Sequence, residues 1–192
     1  MGDAALQLKM TPAEYLAFER ASDEKHEYVN GEVFAMSGGT SAHALVAANM
    51  LGELRTALFD RPCRVFGSDM KIASPDGRYH YPDVSIVCGT PEFEDGQRDV
   101  LRNPNLIVEV LSDSTERYDR GDKFASYATI GRVMDYILCS QRQPRIEHFQ
   151  RQPDGTWIYR ALGPGETLSL LSFEIEIAVD RVYHRVLDLA SE

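Results

Sequence analysis

The chain has 192 residues, a length that fits one domain spanning residues 1–192. Hydrophobic residues make up 43% of it and charged residues 26%, which excludes intrinsic disorder, collagen and coiled coil. There are 30 acidic residues against 20 lysines and arginines, and the resulting net charge of −10 excludes a broad basic surface for nucleic acid. Chemistry on a phosphate would therefore require a local site or a metal ion.

The first third of the chain predicts a helix, a hairpin and a second helix. Thr11 can cap a helix that runs to about residue 20, because a proline follows it and Glu14 stands three residues after the cap. Asn30 and Gly31, flanked by apolar pairs, are typical of a type I′ hairpin turn. After a glycine-rich break, apolar residues recur at helical spacing over residues 42–59.

The remainder predicts mainly strands. Apolar runs separated by turn residues indicate strands at 63–66, 69–73, 81–88, 106–111, 133–139, 145–150, 156–162 and 168–177. Residues 89–104 are polar and predict an exposed loop, and Asp119 predicts the cap of a helix that ends near residue 130. This order favours an α/β fold with a central mixed sheet flanked by helices and additional β-hairpins.

Cysteine usage and the absence of targeting signals favour a cytoplasmic protein without a membrane partner. Cys63, Cys88 and Cys139 lie in apolar segments without CxxC spacing, so we expect small core residues in a reducing compartment. Residues 1–9 contain no apolar run long enough for a signal peptide, and no segment approaches the roughly 20 apolar residues of a membrane helix.

Two carboxylates stand in predicted core strands. Glu109 lies among aliphatic residues, where a carboxylate costs several kcal/mol unless it is paired or bound to a metal. Asp83 opens a second apolar run, and side-chain alternation lets the two acids converge if the strands are neighbours. Such a pair repels unless one acid is protonated or a cation such as Mg²⁺ lies between them. The alternatives are a solvent-exposed strand end for Glu109 and a turn residue after Pro82 for Asp83.

Lys123 is the third candidate. It is one of only four lysines, and it follows the Glu109 strand in the predicted helix. A cation there can orient an attacking water or stabilise charge on a phosphoryl group. The alternative is a solvated lysine on a helix surface.

Together these residues resemble the PD-(D/E)xK nuclease-like superfamily, in which proline-aspartate on one strand precedes glutamate-x-lysine on the next. Leu111 replaces the lysine of that pattern here, and Lys123 is where a lysine moved to the following helix would lie. Further motifs narrow the resemblance to the Uma-type restriction endonuclease family. The segments that carry it are 10–16, 28–33, 41–43, 81–83, 108–112 and 120–127.

The resemblance implies a restriction-endonuclease-like core in which Asp83 and Glu109 bind Mg²⁺ or Mn²⁺, assisted by the carbonyl of Val110. Lys123 would lie beside the attacked phosphate of a DNA substrate. His43 and Glu32 match recurrent family positions, although a helix-end histidine and a surface acid of the hairpin are the alternatives. The family also implies a homodimer.

Asp69 and Arg120 are further candidates for lining the site. A nuclease also predicts that the arginines nearest the motifs form one positive face around the site, and these are Arg78, Arg117 and Arg120.

The sequence therefore predicts a Mg²⁺-dependent endonuclease that hydrolyses phosphodiester bonds of DNA. A catalytically weak or silent interaction or regulatory module with a nuclease fold is the alternative, favoured by the charge of −10 and by Leu111. A glycosidase with two carboxyl groups ~5–9.5 Å apart is a third reading, against which the paired acids with a lysine argue.

Overall fold

Two six-stranded sheets and a two-stranded sheet organise residues 5–36 and 38–186, which a computed structural model of the protein describes. The strands are β1 (Ala5–Lys9), β2 (His26–Val29), β3 (Glu32–Ala35), β4 (Cys63–Gly67), β5 (Lys71–Ala73), β6 (Tyr79–His80), β7 (Val84–Cys88), β8 (Val100–Leu101), β9 (Leu106–Leu111), β10 (Asp135–Ser140), β11 (Ile146–Arg151), β12 (Trp157–Leu162), β13 (Thr167–Leu170) and β14 (Ile175–Ala178).

Helices cover the sheets. They are α1 (Pro12–Ala21), α2 (Ser41–Ala57), α3 (Glu116–Tyr118), α4 (Phe124–Ala128) and α5 (Val179–Val182). A π-helical turn, Asp119–Lys123, joins α3 to α4, and 3₁₀ turns lie at Glu94–Gly96 and Leu171–Phe173. None of the described helices is long and apolar enough to cross a membrane.

The first sheet has the order β1-β3-β2-β6-β5-β8 and the second the order β12-β11-β10-β9-β7-β4. Within the second sheet β9 and β10 are parallel and the other pairs are antiparallel, which confirms the predicted mixed sheet. Strand β9 is its centre, and all six of its residues are buried. Leu106, Val108 and Val110 share one core with α2 and the β13–β14 sheet, whereas Ile107 and Leu111 share another with α4 and β5.

The start of α1 and the turn between β2 and β3 form as predicted. Thr11 accepts a hydrogen bond from the backbone of Glu14, whose carboxylate accepts one from the Thr11 amide, so α1 begins with a capping box. Asn30 and Gly31 both have positive φ, 52° and 90°, as a type I′ turn between β2 and β3 requires.

Four predicted segments differ from the structure. The strand expected at 81–88 begins only at Val84, because Pro82 has no N–H to donate to a ladder. The expected loop 89–104 contains β8, and the strand expected at 168–177 is split by a 3₁₀ turn that ends at Glu174 in a left-handed conformation. Asp119 is no helix cap, because helical backbone begins at Glu116 and continues through it.

The cysteines also differ from expectation. Register places Cys63 of β4 directly opposite Cys88 of β7, and a disulfide joins them. Cys139 is free and buried, as predicted. The expectation of three free cysteines was wrong for the first two because their pairing follows from a strand register that their 25-residue separation does not reveal.

Candidate active site

The register of β7 and β9 brings two predicted acids together. Val84 pairs with Val108 in this antiparallel ladder, so the next step along the register sets Asp83 opposite Glu109. Both side chains line one cleft of about 960 Å³ between the two large sheets, α2 and the helical segment α3–α4. Two acids separated by 26 positions in the chain thus share one site.

Asp83 is held by a backbone contact at the end of the ladder. The pairing of β9 with β7 ends at Val108, which is opposite Val84. The amide of Val110 therefore has no backbone partner in β7. Asp83 Oδ2 accepts a hydrogen bond from that amide at 2.7 Å. The carboxylate therefore takes the place of a strand carbonyl and has a fixed position.

Lys123 lies at the end of the π-helical turn, buried among carboxylates. Its Nζ is 3.0 Å from Glu109 Oε1, 3.0 Å from Glu27 Oε1 and 3.7 Å from Asp119 Oδ1. Only 4% of Glu109 and 5% of Lys123 is exposed. One ammonium group thus faces three carboxylates in a region that water barely reaches.

Glu27 is a site residue that the sequence reasoning missed. It comes from β2 in the first sheet, and its carboxylate accepts a hydrogen bond from the Tyr81 amide at 3.1 Å and lies 3.4 Å from His80 Nδ1. Strand alternation puts Glu27 on the same face of β2 as Val29. This alternation was the only feature of the sequence that indicated the direction of the Glu27 side chain. Its approach to Lys123 depends on how the two sheets pack.

Asp119 and Tyr127 also contact this cluster. Asp119 was predicted to cap a helix, although its spacing of four residues from Lys123 already allowed an ion pair. Tyr127 packs in the core, and its hydroxyl also donates a hydrogen bond to Glu109 Oε1 at 3.2 Å.

Burial and charge shift the pKa values of this cluster in opposite directions. Burial raises the pKa of Glu109 well above its usual value; Lys123 opposes this rise, and the neighbouring acids add to it. Burial would also raise the pKa of Glu27, but Lys123 and His80 lower it to about 2. Lys123 keeps a raised pKa because Glu109 and Glu27 overcome the effect of burial. Lys123 and Glu27 are therefore a charged pair, and Glu109 shares the same ammonium group.

The donor chemistry fits a magnesium-like cation. In the described part of the chain, the hydrogen bonds and closest ion-pair contacts of Asp83 use Oδ2 and those of Glu109 use Oε1, which leaves the other oxygen of each carboxylate for a ligand. No three His, Cys, Asp or Glu side chains of the described residues group as a cation site. Two carboxylates suffice for Mg²⁺, which usually keeps several of its waters.

Of the three remaining candidates, His43 lines the cleft and Glu32 and Asp69 do not. His43 lies in the first turn of α2, lines the cleft, and has its Nε2 3.5 Å from Asp83 Oδ2. Glu32 is exposed on β3 and does not line the cleft. Asp69 is also exposed outside the cleft lining and pairs with Lys25.

The expected positive face does not form. Arg120 is bound to Glu116 and, through two hydrogen bonds, to Glu147, and it does not line the cleft. Arg78 is paired with Asp76. No arginine of the described residues lines the cleft, whose positive side chains are Lys25 and Lys123.

Comparisons with known proteins agree with this fold. Residues 12–180 match the family model described as "Uma2: Putative restriction endonuclease". The chain is 36% identical over 176 residues to "Uncharacterized protein slr1290" of Synechocystis sp., covering 91% of this chain and 92% of that protein. It is 35% identical over 154 residues to "Uncharacterized protein sll1609" of the same organism, covering 80% and 87% of the two chains.

A solved structure has the same fold. It is a "putative nuclease belonging to DUF820" from Anabaena variabilis, with a TM-score of 0.75 and 14% identity over 92% of this chain and 99% of that one.

Proposed function

The chain belongs to the Uma2 family, and we propose that it is a metal-dependent nuclease that hydrolyses phosphodiester bonds in DNA. One observation carries the proposal. Asp83 and Glu109 stand opposite each other on neighbouring strands, each with an unused oxygen, and Lys123 contacts Glu109 at 3.0 Å. This combination provides two ligands for a hard cation and a fixed positive charge in one cleft.

Asp83 and Glu109 would hold Mg²⁺ or Mn²⁺. When bound, such an ion polarises phosphoryl oxygens and makes water more acidic. The acids favour such an ion electrostatically, because the Lys123 ammonium group is shared by the carboxylates of Glu27, Glu109 and Asp119. Asp83 lines the same cleft, so a divalent cation offsets the excess of negative charge.

The protein's own groups have distinct tasks in the hydrolysis. Lys123, kept charged by Glu27, stabilises the negative charge that develops on the phosphoryl oxygens. His43 lies beside Asp83, where its partly buried imidazole accepts the proton of the attacking water. Water attacks phosphorus, the bond to the leaving oxygen breaks, and solvent returns a proton to that oxygen.

Cleavage of supercoiled plasmid DNA in Mg²⁺ or Mn²⁺ tests the proposal. We expect relaxed and linear products from the wild type and none from Asp83→Asn or Lys123→Met. Asp69→Asn is the matched control, because this acid is exposed and outside the cleft. Absence of any cleavage, or cleavage that survives both site substitutions, would contradict the proposal.

A non-catalytic interaction module with this fold is the second candidate. The pairing of Arg78 and Arg120 with the chain's own acids favours it, since DNA binding then lacks a basic track. DNA binding at low salt separates the two candidates, because phosphate contacts are strongest there. Metal-dependent binding supports the nuclease, and no binding at any metal concentration supports the module.

We also propose a homodimer that pairs along β12. This strand is one edge of the second sheet, and Ile158 and Tyr159 on it are 41% and 48% exposed. A long edge strand with apolar side chains readily pairs with another chain. Light scattering after size exclusion should give a dimer mass, which Ile158→Lys should convert to a monomer mass. A monomeric wild type would contradict this assembly.

A further inference from the structure

The cleft has an apolar half beside its acidic half. Phe34 of β3 and Met36, which follows that strand, line it on one side. Ala44, Ala47 and Ala48 of α2 line it as well, and their spacing of three and four residues puts them on one helix face. Small side chains on the helix and large ones at the end of the hairpin thus line the same cleft, and we call the part that they line the apolar slot.

The large side chains of the slot do not serve the core. Phe34 is half-buried and Met36 is 37% exposed, and neither belongs to a hydrophobic cluster of the described residues. Phe34 also has no aromatic ring of the described chain against it. Apolar surface that the fold leaves open inside a cleft commonly contacts a ligand.

Charge limits what can enter the cleft. A duplex is held mainly by lysine and arginine contacts to many phosphates. Here the lining contains no arginine of the described residues, Lys25 pairs with Asp69, and Lys123 is surrounded by carboxylates. Unpaired bases can in addition be held by stacking and apolar contact, a contribution that paired bases inside a duplex cannot make.

Size and depth favour the same ligand. The cleft volume of about 960 Å³ is at the upper end of the range for small-molecule sites, so it has room for a few nucleotides. Glu109 and Lys123 are almost completely buried at its floor. A phosphate that reaches them has to enter the cleft with its nucleotide.

We propose that the apolar slot binds an unpaired nucleobase next to the attacked phosphate, so that the substrate is single-stranded or frayed DNA rather than continuous duplex. The proposal rests on the proposed nuclease function, because it assigns the phosphate to the acidic half of the cleft. Its distinguishing element is the slot formed by Phe34, Met36 and the alanine face of α2.

The test compares one labelled 20-nucleotide strand with its blunt duplex in Mg²⁺ or Mn²⁺. We expect kcat/KM to be at least tenfold higher for the single strand. In addition, Phe34→Ala should lower kcat/KM for the single strand at least fivefold, and Ala48→Leu should lower it by narrowing the slot. Matched controls are Phe59→Ala and Ala57→Leu, which change exposed residues outside the cleft and should have no effect.

Fluorescence anisotropy in Ca²⁺ separates failure of this inference from failure of the nuclease function. If no DNA is cleaved but the labelled strand binds more tightly than the duplex and Phe34→Ala weakens that binding, the nuclease function fails and the slot is supported. Equal or tighter binding of the duplex overturns the slot, as does a Phe34→Ala variant that behaves like Phe59→Ala.

Discussion

Two buried glutamates of this protein are satisfied in different ways. Glu19 of α1 uses both oxygens, because Oε1 accepts hydrogen bonds from the His26 amide and the Tyr81 hydroxyl and Oε2 contacts His26 Nδ1. Glu109 uses one oxygen, for Lys123 and Tyr127. Only Glu109 lines the cleft.

The difference separates a structural acid from a candidate ligand. A buried carboxylate with all its contacts made inside the fold stabilises that fold and offers nothing to a cation. A buried carboxylate with an unused oxygen, a raised pKa and an open cleft costs stability in the absence of a ligand. The same substitution at Glu19 and Glu109 should therefore have opposite consequences.

Of the two glutamate substitutions, Glu109→Gln should have the larger effect on activity. Loss of one metal-binding oxygen should reduce the DNA cleavage rate by about 10²–10³-fold, the scale of removing one electrostatic contact to a transition state. Stability should not fall, because burial disfavours the charged form of Glu109 and so raises its pKa. Cleavage assays and urea denaturation of the same preparation check both expectations. Lower stability with unchanged cleavage would make Glu109 a structural acid.

Glu19→Gln should show the reverse behaviour. The amide cannot accept all the hydrogen bonds that the carboxylate accepts from His26 and Tyr81, so we expect a loss of about 1–3 kcal/mol in the free energy of unfolding. Cleavage by the folded protein should stay within about threefold of wild type, since Glu19 does not line the cleft. Glu53→Gln, which breaks a surface ion pair, is the control for urea denaturation.

The pH dependence of stability should identify Glu27 as the partner of Lys123. Its pKa is lowered to about 2 from 4.5, so its contribution is complete above about pH 4.5 and is lost as the pH falls through about 2. Urea denaturation between pH 5 and pH 2 should show a steeper decline for the wild type than for Glu27→Gln. Parallel declines would mean that Glu27 and Lys123 are not coupled.

Arg120→Gln should have the smallest effect. This arginine is about one-third exposed and joins the π-helical turn to β11 through Glu147, so we expect a loss of at most about 1 kcal/mol. Cleavage should change less than threefold, because Arg120 does not line the cleft. A large loss of cleavage with normal stability would contradict this expectation and would indicate that Arg120 takes part in the active site.

The sequence predicted the parts of the site that depend on local pattern. The alternation of side chains along a strand assigned Asp83 and Glu109 each to a defined face of its own strand. Lys123 was identified because the chain has only four lysines. Whether these side chains meet depends on the register of β7 and β9 and on the π-helical turn, both of which follow from tertiary packing. The structure brings them together in one cleft.

Other features were beyond reach because they depend on long-range pairing. Glu27 reaches Lys123 only because the first sheet packs against the helical segment of the second. Arg120 was expected to line the site, but it binds Glu147, which is 27 residues away in the chain. Capping and turn chemistry, by contrast, acts within four residues, which is why α1 and the β2–β3 hairpin were predicted well.

Binding of Mn²⁺ measured by isothermal titration calorimetry tests the central claim most directly, because it does not depend on the identity of the DNA substrate. We predict that the wild type and Glu19→Gln each bind Mn²⁺ in the cleft and that Glu109→Gln and Asp83→Asn do not. Absence of binding to the wild type, or equal binding to the wild type and Glu109→Gln, would contradict the assignment of Asp83 and Glu109 as metal ligands.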